Sequence, residues 1–147
     1  MSLAVDNPTI NSPFDEPSQW WDYSEGQPVQ REGRRPAGYY LRPRTRSATG
    51  SLFEEEFVSL DVVNDIRARV KAWREHGYPG TTRVTQELLS YWNRPGRERK
   101  LFFCQREAAE TVIWLIEAPA TERMGLEIPV DLPSDEDHSK GYAGLRR

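Results

Sequence analysis

Gln105 stands two residues behind an aromatic pair, Phe102 and Phe103, in the stretch 100–118, KLFFCQREAAETVIWLIEA. One glutamine amide donates and accepts hydrogen bonds at once, so it can read the edge of a polar ring. The plainer reading is a helix-start residue beside a core aromatic pair. A second candidate lies at residues 31–46, where Arg31, Arg34, Arg35, Arg42, Arg44 and Arg46 flank Tyr39 and Tyr40. Arginines interleaved with aromatics suit phosphate contacts and base stacking. A solvated arm whose arginines pair with carboxylates elsewhere explains the same residues. Nucleotide hydrolysis needs a phosphate loop, G-x-x-x-x-G-K-[ST]. Lys71 precedes Ala72, Lys100 precedes Leu101 and Lys140 precedes Gly141, so no lysine qualifies. No Walker-type aspartate pair follows an apolar strand, and hydrolysis by this chain alone is not expected.

The remaining reactive residues are sparse. Cys104 is the only cysteine, which excludes an internal disulfide and predicts a buried structural thiol. His76 and His138 are too far apart for a zinc pattern, and His76 before Gly77 suits a helix C-terminus. The run Asp135, Glu136, Asp137 and His138 sits in a polar loop without fixed geometry, so no metal site is expected. Trp73, Trp92 and Trp114 read as core anchors.

The elements that must position these groups follow from punctuation and period. Six of the 11 prolines fall in residues 1–50, which read as an extended arm lying across a folded surface. Its scattered aromatics leave room for short strands near residues 20–23 and 38–41. Residues 51–60, SLFEEEFVSL, fit either a helical face through Phe53 and Phe57 or a short strand at 57–59. Asp61 is a good N-cap for a helix over 62–76, with Val62, Ile66, Val70 and Trp73 on one stripe. Gly77 stops it, and Thr81 or Thr82 caps a second helix to about Trp92, with Val84, Leu88, Leu89 and Trp92 inward. Together they predict an αα-hairpin. Arg94, Arg97, Arg99 and Lys100 form a basic connector, read as a solvated loop. A third helix over 105–118 presents Ala109, Val112, Ile113 and Ile116, widened by Trp114 and Leu115. Residues 126–132 allow a short edge segment, and 131–140 an acidic loop.

Composition sets bounds. At 147 residues, 37% hydrophobic and 29% charged, the chain has room for one modest core with part of its length unpacked. The net charge of -3 names no partner. A polar, acidic N-terminus and the lack of a long apolar run predict an intracellular protein that does not span a membrane.

The order of segments resembles the N-terminal region of restriction-type DEAD/DEAH-box helicases, the R (Res) subunits of type III restriction enzymes and their relatives. The matching pieces are NPTINSPFDEP at 7–17, GRRPAGYY at 33–40, residues 62–78, residues 101–118 and GLEIP at 125–129. The pair Phe102–Phe103 with Gln105 has the look of the Q-motif that opens their first motor domain. That resemblance implies that Gln105 reads adenine and that Phe102 or Phe103 helps seat the base. It implies ATP and magnesium as cofactors of the full-length family, with none for this chain alone. In the family the phosphate loop comes soon after the region that GYAGLRR at 141–147 resembles, so the chain has the look of a leading fragment.

The expected architecture is mainly α: an αα-hairpin plus a third helix, with an extended Pro/Arg-rich N-terminal arm and one or two short strands at most. The expected organisation is an arm at 1–50, a helical domain with the Q-motif-like helix at 51–119, and an irregular acidic tail at 120–147. The expected function is a cytoplasmic accessory fragment of a DNA-defence helicase, not catalytic alone. Its partner is then the rest of the helicase polypeptide. The alternative is a free-standing interaction protein that binds DNA or a defence complex through its basic arm. With no motor domain attached, one face of the third helix is expected to be exposed or paired with another copy.

Overall fold

The computed structural model describes residues 5–24, 26–41 and 56–128. Their elements run β1 (Gln19–Asp22), β2 (Val29–Glu32), β3 (Gly38–Leu41), β4 (Glu56–Ser59), α1 (Asp61–Glu75), α2 (Arg83–Asn93) and α3 (Phe103–Glu117). A single 3-10 turn, Ala120–Arg123, follows α3. The strands form two separate antiparallel pairs, β1 with β2 and β3 with β4. The fold is therefore a mixed α/β domain, which corrects the mainly α expectation.

The arm is built rather than merely extended. Asn11 braces the entry to β1: its Nδ2 donates to the Gln19 carbonyl at 2.8 Å, and its Oδ1 accepts from the Ser18 and Gln19 amides at 3.0 and 3.2 Å. In the first pair Trp20 faces Arg31 and Trp21 faces Gln30; in the second Tyr39 faces Val58 and Tyr40 faces Phe57. Gly38 is required where the second pair closes, because a Cβ there would overlap the Phe57 ring. Asn64 of α1 holds this pair to the helix, accepting from the Ala37 amide at 2.8 Å. The ambiguous segment before α1 thus resolves as a strand at its C-terminal end. Pairing with β3 and the Asn64 anchor, both long-range, override the helical period.

Helix α1 begins at Asp61 with Leu60 in the capping position, so Asp61 sits in the first turn rather than at the cap. It ends at Gly77, whose φ of 77° only glycine adopts freely. Thr82 caps α2, its hydroxyl accepting from the Thr85 amide at 3.3 Å. Helix α1 packs on α3 rather than on its sequence neighbour α2, so the two do not form the expected close hairpin. Side chains tie α2 to α3 instead. The carboxylate of Glu117 accepts from the Thr82 amide at 2.8 Å and from the Thr85 hydroxyl at 2.7 Å.

The core joins Val70 and Trp73 of α1 to Trp114 and Ala118, with Ile66, Tyr78, Ile113, Leu115 and Leu126 packed around it. Gly80 lets the turn after α1 close on the end of α3; at φ 83° it would place a Cβ 2.6 Å from Pro119. Several sequence expectations shift in phase. Val84 and Leu88 face outward on α2, leaving Thr85 and Leu89 buried. Val112 and Ile116 face outward on α3, where Phe103, Glu110 and Trp114 are buried. Val62 is exposed, and Cys104 is exposed rather than a buried thiol. Trp92 is half-buried. Arg42, Arg44, Arg46, Phe53, the acidic loop and residues 129–132 of the edge segment lie outside the described residues, and residues 126–128 carry no strand.

Candidate functional site

Phe103 opens the first turn of α3 and is 4% exposed. Three guanidiniums surround its ring: Arg34 at 5.4 Å, Arg74 at 5.5 Å and Arg106 at 5.3 Å from the centroid. They come from the arm, α1 and α3. Such stacking holds a guanidinium plane in place while leaving its edge free for hydrogen bonds. Two carboxylates complete the lattice. Glu107 takes Arg34 in a fork, Nη1 to Oε1 and Nη2 to Oε2, the second bond being 2.6 Å. Glu110, with no exposed surface, accepts from Arg74 Nε at 2.7 Å and from the Tyr78 hydroxyl at 2.7 Å, and lies 3.8 Å from Arg106 Nε.

The lattice is spaced by the helix. Residues 103, 107, 110 and 114 of α3 lie on one stripe, so two acids occupy a face that apolar residues would otherwise fill. Burying them demands partners, since an unpaired charge there is costly. Tyr78 meets part of that demand from a left-handed backbone, φ 61°, which a bulky residue rarely adopts. Its ring stands edge-on to Trp73 at 4.9 Å, and its hydroxyl accepts from Asn93 at 3.3 Å. Burial, then the Glu110 carboxylate, pushes the Tyr78 phenol well above its ordinary value, so it stays protonated and donates.

Burial works against ionisation of Glu107, but the Arg34 fork and the charges of Arg34, Arg67 and Arg74 prevail and hold its carboxyl below the ordinary 4.5. A depressed carboxylate stabilises the fold above its unfolded pKa, and that stabilisation is lost as pH falls through the folded value. The stability gap between the wild type and Glu107→Gln should therefore be constant above about pH 4.5 and close below it. Denaturant melts across that range check it; a gap that ignores pH would remove the ionised fork from the account.

The arm crosses the start of α3. The Phe103 amide donates to the Pro13 carbonyl at 2.8 Å, and Phe14 stacks on Phe102 at 5.4 Å. Lys71 of α1 reaches Glu16 at 3.1 Å. Beside this crossing lies a cleft of about 710 Å³ lined by Trp20, Trp21, Arg34, Arg35, Pro36 and Arg67, among others. Arg35 stacks near Trp20 at 5.8 Å and Tyr40 at 6.0 Å. Among the described residues, neither Arg35 nor Arg67 has a carboxylate at ion-pair distance. Burial and the neighbouring Arg34 charge lower the Arg67 pKa from its ordinary value. The cleft therefore carries an excess of positive charge and suits an anion.

The sequence-predicted residues divide between these features. Phe103 is the centre of the arginine lattice, whereas Phe102 is 46% exposed beside Phe14. Gln105 is exposed. Its Oε1 accepts from the Phe102 amide at 3.1 Å, and its NH2 group makes no hydrogen bond among the described residues. Arg34 is committed to Glu107 and Arg35 to the cleft wall, while Arg31 pairs with Asp22 at 3.2 Å. Tyr39 and Tyr40 are exposed on β3. Arg34 meets α3 at Glu107, which points away from Gln105, so the structure does not bring the two candidate groups together. Sequence reasoning misses Glu107, Glu110, Arg74, Arg106, Tyr78 and Arg67. The signal that could find them is the pair of acids on the Phe103–Trp114 stripe.

No known protein family, curated protein or solved structure matches the chain. Among the described residues, no helix is long and apolar enough to cross a membrane.

Proposed function

We propose that this chain is an accessory segment that leads a cytoplasmic DNA-defence helicase of the type III restriction kind and performs no catalysis by itself. The observation that carries the reading is the outer stripe of α3. Cys104, Ala108, Val112 and Ile116 recur every four residues on its exposed side, with Val112 at 56% and Ile116 at 70% exposure. An apolar stripe on a helix already packed on its other side is a surface for a further layer. In this reading the layer is the sheet of the motor domain, and Gln105 contributes an adenine contact at its edge. The order of segments along the chain supports the same conclusion. The phosphate ligands, magnesium and hydrolytic machinery belong to the motor domain.

The chain alone should release no phosphate from ATP with DNA present, and it should not bind ATP at micromolar concentration. One amide contributes roughly 0.5–1.5 kcal/mol, against the about 8 kcal/mol of micromolar affinity. Joined to the motor domain of its parent polypeptide, it should take part in ATP binding, and Gln105→Ala should weaken that binding. ATPase activity by the repurified chain would sink the accessory reading. Equal ATP affinity with and without Gln105→Ala would remove Gln105 from the site.

The second reading, an interaction protein with a basic arm, draws on one specific observation: the cleft that leaves Arg35 and Arg67 without carboxylate partners among the described residues. Binding of DNA by the chain without any motor domain, abolished by Arg35→Gln with Arg67→Gln, would favour it.

A further inference from the structure

The connector between α2 and α3 carries Arg94, Arg97, Arg99 and Lys100 against the one carboxylate of Glu98. Pro95 and Gly96, the latter at φ 76°, turn the chain back on itself. The turn brings two guanidiniums to one ring: Arg94 lies 4.7 Å and Arg97 4.9 Å from the centroid of Tyr91, which is 48% exposed. Among the described residues, none of the four cations has a carboxylate at ion-pair distance. Nη1 of Arg97 is shielded from water and has no hydrogen-bond partner there. The loop borders an open cavity of about 520 Å³ lined by Tyr91, Arg94, Gly96, Arg97 and Arg99, among others.

This arrangement differs from the lattice around Phe103. There the stacked arginines Arg34 and Arg74 are taken up by Glu107 and Glu110. Here two like charges share a ring; Glu98 lines the same cavity but lies beyond ion-pair distance of either, and their mutual repulsion falls when an anion bridges them. Stacking fixes the guanidinium planes; with Nη1 of Arg97 turned from solvent, the open edges are the Arg94 fork and the Nε–Nη2 edge of Arg97, the geometry that matches phosphate oxygens. Four cations within residues 94–100 exceed what one phosphate group requires, whereas a nucleic-acid strand offers one anion per nucleotide.

We propose that this connector binds the phosphodiester backbone of a nucleic acid, with the Arg94 and Arg97 forks taking phosphate oxygens and Arg99 and Lys100 following the strand. Tyr91 positions the two forks. The site is separate from the arm and its cleft, and it stands whether or not the motor reading holds.

Fluorescence anisotropy of the full chain with labelled oligothymidine, repeated over a range of salt concentrations, tests it. Arg94→Gln with Arg97→Gln should weaken binding on the order of tenfold at low salt. It should also flatten the slope of log affinity against log salt by about 1.4, at about 0.7 for each phosphate no longer neutralised. Tyr91→Ala should weaken binding with the charge unchanged. Arg83→Gln removes one charge from the same helix at its far end and should leave the slope unaltered. Unchanged affinity and slope in the double variant, with wild-type circular dichroism, would overturn the proposal. Should the double variant fail to fold, Arg94→Lys with Arg97→Lys keeps the charges and loses the forks; undiminished affinity there overturns it too. A duplex and inorganic phosphate serve as the other arms. Binding to either oligonucleotide, weakened in the double variant, supports the backbone assignment, and binding of inorganic phosphate alone overturns it.

Discussion

Replacing Glu110 by alanine should destabilise the domain by about 3–5 kcal/mol, the cost of breaking a buried ion pair from one side. The side chain has no exposed surface, and the guanidinium of Arg74, itself 15% exposed, approaches it to 2.6 Å. Alanine leaves that cation without its carboxylate in a place water barely reaches. It also removes the acceptor of the Tyr78 hydroxyl, whose backbone is held at φ 61° by the groups around it. Strain of this kind persists only while the surroundings over-determine it. Glu110→Gln should cost less, because an amide still accepts from Tyr78. Replacing both partners with apolar residues, Glu110→Leu with Arg74→Met, should recover much of the loss. Chemical melts of the three variants decide the matter. A loss below about 1 kcal/mol for alanine would mean that the lattice contributes little to folding.

The lattice also shows where sequence reading stops. Periodicity locates helices well when one side is plainly apolar, and α1 is such a case, with Val70 and Trp73 buried at the expected spacing. Helix α3 has apolar residues around most of its circumference, so its phase is not determined by pattern alone. The acids Glu107 and Glu110 mark the inner side, while Val112 and Ile116 mark the outer. A rule that puts apolar residues inward places Trp114 and Ile113 correctly but puts Val112 and Ile116 on the wrong side and misses both acids. Arg34 and Glu107 are separated by 73 positions, and no local window registers a pairing of that span. Three of the four strands are legible as short segments near 20–23, 38–41 and 57–59, but Val29–Glu32 is missed, and so are the pairing and the register. Gln19–Asp22 and Glu56–Ser59 have four residues each, too few for alternation to stand out, and their register depends on partners such as Asn11 and Asn64. Turn chemistry, by contrast, is local and legible: Gly77, Thr82 and the Pro95–Gly96 break all act through their own backbone.

Trp73→Ala should cost about 3–5 kcal/mol, as truncation of a large core aromatic does. Trp73 is 1% exposed and joins Val70, Trp114 and Ala118 in the core, so alanine opens a cavity between α1 and α3 rather than toward α2. The indole Nε1 donates to the Pro79 carbonyl at 2.9 Å, which anchors the turn after α1, and the ring supports Tyr78 edge-on. Trp73→Phe keeps much of the apolar area and drops the hydrogen bond, so about 0.5–1.5 kcal/mol of its loss belongs to that bond. Because Trp73 and Glu110 brace the same tyrosine, their alanine losses should not add. Once either is gone, Tyr78 is free to leave its left-handed conformation, and the second substitution removes less than it would alone. Strictly additive losses in a double-mutant cycle would show that Trp73 and Glu110 act independently, and that Tyr78 does not connect the aromatic core to the arginine lattice.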